Sequence, residues 1–113
     1  MKGNTDLVKW DSDLSSLNIG RNMFRRASLT SFNSVNLSNL TDGFYMFYGT
    51  SLTSFNIDLS KLTNGMGMFR GTPLTSFSGD LSKLTNGSQM FMGTNLTSFS
   101  VDISSIVDCS SMF

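Results

Sequence analysis

Short runs in which apolar and polar residues alternate punctuate this chain. Phe55-Asn56-Ile57-Asp58-Leu59 is the clearest, and Trp10 to Leu14 and Phe99 to Ile103 repeat the pattern. A period of two puts successive side chains on opposite faces of an extended backbone, so each run predicts a strand with one buried face. In the equivalent run of the next unit, Gly79 takes the middle apolar place and weakens the predicted strand. Asn64-Gly65 and Asn86-Gly87, with Asp42-Gly43 as a variant, predict a turn that accepts positive φ. A second corner falls at Gly49, Gly71 and Gly93. Between the corners, Leu62 and a Met-Phe pair point inward from a segment too short for a helix; an extended piece or a single 3₁₀ turn is expected there.

These elements recur with a fixed period. Met-Phe stands at 23–24, 46–47, 68–69, 90–91 and 112–113, spaced by 23, 22, 22 and 22 residues. Residues 59–77 and 81–99 share fifteen of nineteen positions. After a lead-in of residues 1–6, units begin at Leu7, Leu29, Leu52, Leu74 and Leu96 and fill residues 7–113. The one extra residue lies between Phe32 and Leu37, where a bulge or loop can absorb it. A unit this short cannot bury an apolar face alone and must stack on its copies. The predicted fold is therefore a mainly β repeat solenoid, with leucine-rich-repeat-like coils of about 22 residues, a parallel β-sheet and little helix. Its core should consist of columns: leucines, Phe or Trp at 10, 32, 55, 77 and 99, and the Met-Phe pairs. Aromatic rings in such columns are expected at strand spacing, about 4.8 Å.

The run MFRGTPLTSFSGDLSKLTNG, residues 68–87, resembles the BspA-like leucine-rich repeats of bacterial surface proteins. Units of that family carry an aromatic pair, a small residue or cysteine, an L-x-x-hydrophobic strand and a turn ending in Gly. The likeness spans residues 7–113, with Gly-Thr where the family often has cysteine and Asp-Leu-Ser where proline is usual. The resemblance implies a surface-exposed recognition or adhesion array, extracellular or on a cell or virion surface. It supplies no catalytic residue.

Composition narrows the function further. A chain of 113 residues with 39% apolar content suits one small folded domain. Eight Lys and Arg balance eight acids, all Asp, so nothing electrostatic points to nucleic acid or an anionic membrane. One cysteine, Cys109, excludes an internal disulfide framework, and it occupies a turn-glycine position of the last unit. Without His or Glu, no distinctive acid, base or nucleophile stands out, so neither an enzyme nor a cofactor is expected. No run approaches the length of a spanning helix, and the amino end lacks the apolar core of a signal peptide.

Two columns invite chemistry. Asp13, Asn36, Asp58, Asp80 and Asp102 would stack outward, and a ladder such as Asp58, Asp80 and Asp102 has the oxygen ligands Ca²⁺ favours. Capping of following N–H groups explains the Asn36 substitution better, and Lys61 and Lys83 stand close enough to offset carboxylate repulsion. Thr-Ser pairs at 30/31, 53/54, 75/76 and 97/98 suit ladder hydrogen bonds better than a flat hydroxyl array.

Specificity in an array resides where units differ, because the shared positions build the core. Two windows vary: before Met-Phe stand Arg21-Asn22, Phe44-Tyr45, Met66-Gly67, Ser88-Gln89 and Ser110-Ser111, and after it Arg25, Tyr48, Arg70 and Met92. Phe44, Tyr45, Tyr48, Met66, Arg70, Gln89 and Met92 in those windows form the candidate binding strip for a protein or glycan ligand, since Tyr, Arg and Met are enriched at interface centres. A contrasting reading starts from the scarcity of capping residues around the units. A piece of a longer array, docking on another protein, or end-to-end stacking into a filament or onto a larger, even viral, assembly would each cover such ends.

Overall fold

A computed structural model of the chain describes residue 10, residues 12–32 and residues 35–113. The lead-in 1–6, the unit start at Leu7, and Asn33 and Ser34 of the inserted stretch lie outside the described residues. The described chain is mostly non-helical with a small parallel sheet. Its strands are β1, Ser54–Phe55, and β2, Ser76–Phe77, paired with Ser54 opposite Ser76 and Phe55 opposite Phe77.

The strands are much shorter than the alternating runs predict. From Phe55 to Leu59 the burial does alternate, with Phe55, Ile57 and Leu59 inside and Asn56 and Asp58 outside. Pairing nevertheless ends where Ser78 donates its N–H to Phe55 O at 3.1 Å. Beyond that bond, grooves open between segments one repeat apart. One is lined by residues 35–38 and 56–58, the other by residues 77–80, 82 and 100–102. The backbone is amphipathic there without being laddered, and residues 99–103 carry no strand either. The predicted strand from Trp10 includes Asp11, outside the described residues.

Most of the inter-unit bonding is carried instead by the segments that bear Met-Phe. Residues 21–26, 44–49, 66–71 and 88–93 are runs of hydrogen-bonded turns, neither extended nor a single 3₁₀ turn. In the second, Met46, Tyr48 and Thr50 donate N–H to the carbonyls of Gly43, Tyr45 and Phe47, three residues back. The intervening N–H groups of Tyr45, Phe47 and Gly49 reach Met66, Met68 and Arg70 of the following unit at 2.9–3.0 Å. Alternate donors thus close the local turn and join the next unit, so the polar backbone of a buried segment is satisfied without strand geometry. The same alternation runs from Asn22 to Phe91. Beside it, parallel bridges link Ile19, Asp42, Asn64, Asn86 and Asp108 in succession.

The Asn-Gly dipeptides work differently from the expectation. Gly43, Gly65 and Gly87 are not in the left-handed region; the positive φ values fall two residues later, at Asn22 (58°), Tyr45 (52°), Gly67 (60°), Gln89 (58°) and Ser111 (52°). Those residues hold the third position of a turn, where a type II turn requires positive φ. Gly65 is small because there is no room: a Cβ would lie 2.9 Å from Met90 Sδ and 3.2 Å from Leu84 Cδ1. Gly20 and Gly43 meet Met46 and Met68 at 2.9 and 2.8 Å in the same way. The residue before each glycine uses its side chain to cap: Oδ1 of Asp42, Asn64, Asn86 and Asp108 accepts the N–H of Phe44, Met66, Ser88 and Ser110 at 3.0–3.1 Å. The second corner does take up positive φ, at Gly49, Gly71 and Gly93 (68–75°).

Inside, the two aromatic columns interlock. Phe24, Phe47, Phe69, Phe91 and Phe113 stack nearly parallel with ring centres 5.5–5.7 Å apart. Phe32, Phe55, Phe77 and Phe99 form a second stack at 5.9–6.3 Å. Each ring of one column meets rings of the other edge-on, as Phe55 meets Phe69 at 4.8 Å and 63°. Both spacings exceed the predicted 4.8 Å because offset rings seat their edges against the facing column, an arrangement the ring quadrupole favours. Around them pack Leu37, Leu59 and Leu81 and the Leu40, Leu62 and Leu84 row, all essentially buried. Phe113 keeps its contacts with Phe91 and Phe99 but is 62% exposed, so it rims the core and is not a fully buried position.

Candidate recognition surface

The turn segments that deliver Met-Phe to the core turn their other side chains outward. Met46 and Phe47 are both buried while Phe44, Tyr45 and Tyr48 on either side are half-buried, and this brings most of the predicted strip together. Phe44 and Tyr45 lie 4.6 Å apart, and Tyr45 stacks on Tyr48 at 5.2 Å and 26°. Tyr45 then crosses the next unit to donate its O–H to Gln89 Oε1 at 3.0 Å, two units away in the chain. Arg70 Nη1 donates to the same Gln89 oxygen and lies 3.4 Å from the Tyr45 hydroxyl. Gly67 makes the crossing possible, because any Cβ there would strike the Tyr45 ring. Met66 is half-buried and Met92 is 37% exposed one repeat beyond Arg70; neither makes a polar contact through its side chain.

Arg21 and Arg25 of the same two windows, with Arg26 beside them, complete the surface. Arg21 lies over the Phe44 ring at 5.1 Å and pairs with Asp42 through Nε at 2.6 Å. Arg25 sits over both Tyr45 and Tyr48, at 5.5 and 5.1 Å. Arg26 and Arg70 approach Tyr48 at 5.7 and 5.9 Å. A cation over an aromatic face is held electrostatically by the ring quadrupole, so these side chains are pre-positioned. Arg26 alone lies outside the two windows, and its departure from the repeat is visible in the sequence, where Gly49, Gly71 and Gly93 hold the same place in the next units.

The surface also concentrates backbone strain. Among the described residues, five non-glycine positions have positive φ, and four of them, Asn22, Arg26, Tyr45 and Gln89, belong to it or adjoin it. Arg26 (61°) takes the corner that is glycine in the next three units. Such residues cost about 1–3 kcal/mol each and persist where the surroundings over-determine them.

The aspartate column caps turns. Oδ1 of Asp13, Asn36, Asp58, Asp80 and Asp102 accepts the N–H of Ser15, Ser38, Ser60, Ser82 and Ser104 at 2.8–2.9 Å. The backbone N–H and then the hydroxyl of Ser15 and Ser82 hold the carboxyls of Asp13 and Asp80 below their ordinary value, and Ser110 does the same for Asp108. Among the described residues no group of three or more His, Cys, Asp or Glu side chains is placed to hold a metal ion. Lys61 reaches back to donate to Asn39 Oδ1 at 2.9 Å. Thr75 donates to Thr53 O at 3.1 Å as the ladder reading anticipates. A more complete ladder, Thr41 to Asn18 O, Thr63 to Thr41 O and Thr85 to Thr63 O, runs along a column the sequence reading passed over.

No helix among the described residues is long and apolar enough to cross a membrane. No protein-family model, curated protein or solved structure matches the chain.

Proposed function

We propose that the chain is a leucine-rich-repeat-like solenoid related to the BspA-like surface arrays, acting as a non-catalytic recognition or adhesion module at a cell or virion surface. The register of hydrogen bonds and aromatic stacks at the repeat spacing supports the solenoid reading. One observation carries the recognition reading. Residues of the variable windows from neighbouring units meet on one face, where Phe44, Tyr45, Tyr48, Arg70 and Gln89 form a single contact network backed by the repeated core. A continuous surface of Tyr and Arg has the composition of interface centres, whereas the folding of the units rests on the buried columns. Its ligand is a protein or a glycan.

Peptide and glycan arrays probed with the wild-type chain and with a Tyr48→Ala/Arg70→Ala variant test the proposal. A ligand held by the wild type, weakened at least about tenfold in that variant and unchanged in Lys61→Ala/Lys83→Ala, is the expected result. Binding that is indifferent to the Tyr48 and Arg70 substitutions would place recognition elsewhere and overturn it.

A further inference from the structure

Every arginine and every tyrosine of the chain lies on this one face: Arg21, Arg25, Arg26 and Arg70 with Tyr45 and Tyr48. All four guanidinium groups of a chain with net charge zero are therefore gathered in one place. Among the described residues a single carboxylate, Asp42, pairs with an arginine here, and it serves Arg21. Among the described residues no carboxylate pairs with Arg25, Arg26 or Arg70, yet all three guanidinium groups lie within 5.9 Å of the Tyr48 ring centre. Like charges brought this close repel; the ring quadrupole offsets part of that cost, and a bound anion would offset more.

We infer that this face takes an acidic polypeptide segment, whose side-chain carboxylates are received by Arg25, Arg26 and Arg70 around Tyr48. The inference rests on the recognition reading above and names its ligand.

Three features favour a polypeptide carboxylate over a sugar. Pyranose recognition through C–H stacking needs an open aromatic face. Here Tyr48 is covered by Arg25, Arg26, Arg70 and Tyr45, and Phe44 by Arg21 and Tyr45. What points outward is guanidinium. Each carries five N–H donors in a planar fork that matches a carboxylate bidentately. Among the described residues Arg25 donates to Asn22 Oδ1 at 3.3 Å and Arg70 donates through Nη1 to Gln89 and Tyr45, which leaves further donors of each fork for a ligand. Stacking has already fixed the side chains, so little freedom is lost when a ligand arrives. Exposed Met92, one repeat beyond Arg70, supplies an apolar rim for a neighbouring side chain, and the Tyr, Arg and Met mixture is that of protein interface centres.

The probe is a fluorescein-labelled peptide of alternating glutamate and leucine, followed by anisotropy against the full chain at low salt. An equally long glutamine-leucine peptide, a sulfated oligosaccharide and a single-stranded oligonucleotide serve as comparators. The acidic peptide should bind, the glutamine peptide should bind at least about tenfold more weakly, and added salt should weaken the acidic complex by screening. Arg25→Ala/Arg26→Ala/Arg70→Ala should lose at least about tenfold in affinity, while Lys61→Ala/Lys83→Ala keeps it. If the alanine variant unfolds, Arg25→Lys/Arg26→Lys/Arg70→Lys carries the test: charge is kept and the planar fork is lost, so affinity should fall several-fold.

Equal affinity of the lysine variant and the wild type, failure of the acidic peptide to bind, or tighter binding of the oligosaccharide or oligonucleotide would each overturn the inference. The recognition reading fails separately, when the arrays yield no ligand that depends on Tyr48 and Arg70.

Discussion

Gly65 and Gly71 are both glycine in a repeated position, and substituting alanine should hurt each for a different reason. At Gly65 the new Cβ would lie 2.9 Å from Met90 Sδ, 3.1 Å from Met90 Cε and 3.2 Å from Leu84 Cδ1, in a core where Met90 and Leu84 are fully buried. Overpacking of this kind costs about 1–3 kcal/mol, and the reduced freedom of the unfolded alanine chain returns about 0.4–1 kcal/mol. At Gly71 the nearest atom to a new Cβ is 4.0 Å away, so there is room, but φ is 72°. The left-handed conformation costs an L-residue about 1–2 kcal/mol. Single substitutions therefore look alike, and a cycle with Met90→Ala separates them. Removing the thioether opens the space that the Gly65→Ala methyl needs. In the Met90→Ala background Gly65→Ala should be neutral or mildly stabilising, whereas Gly71→Ala should cost the same in both. Urea denaturation of the six proteins measures this, since about 1–2 kcal/mol moves a midpoint by roughly 1 M at the slopes usual for small domains. A Gly65→Ala penalty that persists undiminished without the Met90 side chain would refute the steric account.

Phe47→Ala should be among the most damaging single changes, because its ring touches Phe24, Phe32, Phe55 and Phe69 at once; a loss of about 3–5 kcal/mol is expected by urea denaturation. Thr72→Val keeps the buried shape but deletes the 2.8 Å bond from Oγ1 to Phe69 O, for a loss of about 1 kcal/mol. Acid should weaken the fold as well. The carboxyls of Asp13, Asp80 and Asp108 titrate below their ordinary 3.8, so the stability they add is complete above that value and is lost as pH falls through their folded values. Thermal melts between pH 5 and pH 2.5 should show that decline. Asp80→Asn, which keeps an acceptor for Ser82 as Asn36 does for Ser38, should hold its neutral stability and flatten the acid slope.

Much of the arrangement is legible in the residues because repetition converts a tertiary question into a local one. If Leu62 is inside, then so are Leu40 and Leu84, and all three are fully buried. The same reasoning finds the capping role of Asp58 and Asp80, which depends on a hydrogen bond only two residues along the chain. It finds the variable windows too, since comparing units needs no coordinates. It misjudges the strands, because alternation reports which face is buried and says nothing of whether the neighbouring backbone is close enough to pair. At Asn56 to Leu59 the burial pattern is right and the neighbour is a groove away.

The period, the identity of the core columns and the positions free to vary all follow from counting residues at an offset of 22. Tertiary structure decided what those residues do to one another. Whether Gly65 serves a bend or a close approach depends on where Met90 of the next unit lies. That the two aromatic columns interlock edge-on, wider than strand spacing, depends on how the units are offset. And Tyr45 meeting Gln89, with three arginines converging on Tyr48, depends on Gly67 leaving a path between units. The physical reason is common to all three: spacing along the chain fixes which residues are equivalent, while distances across it depend on how one unit is seated on the next.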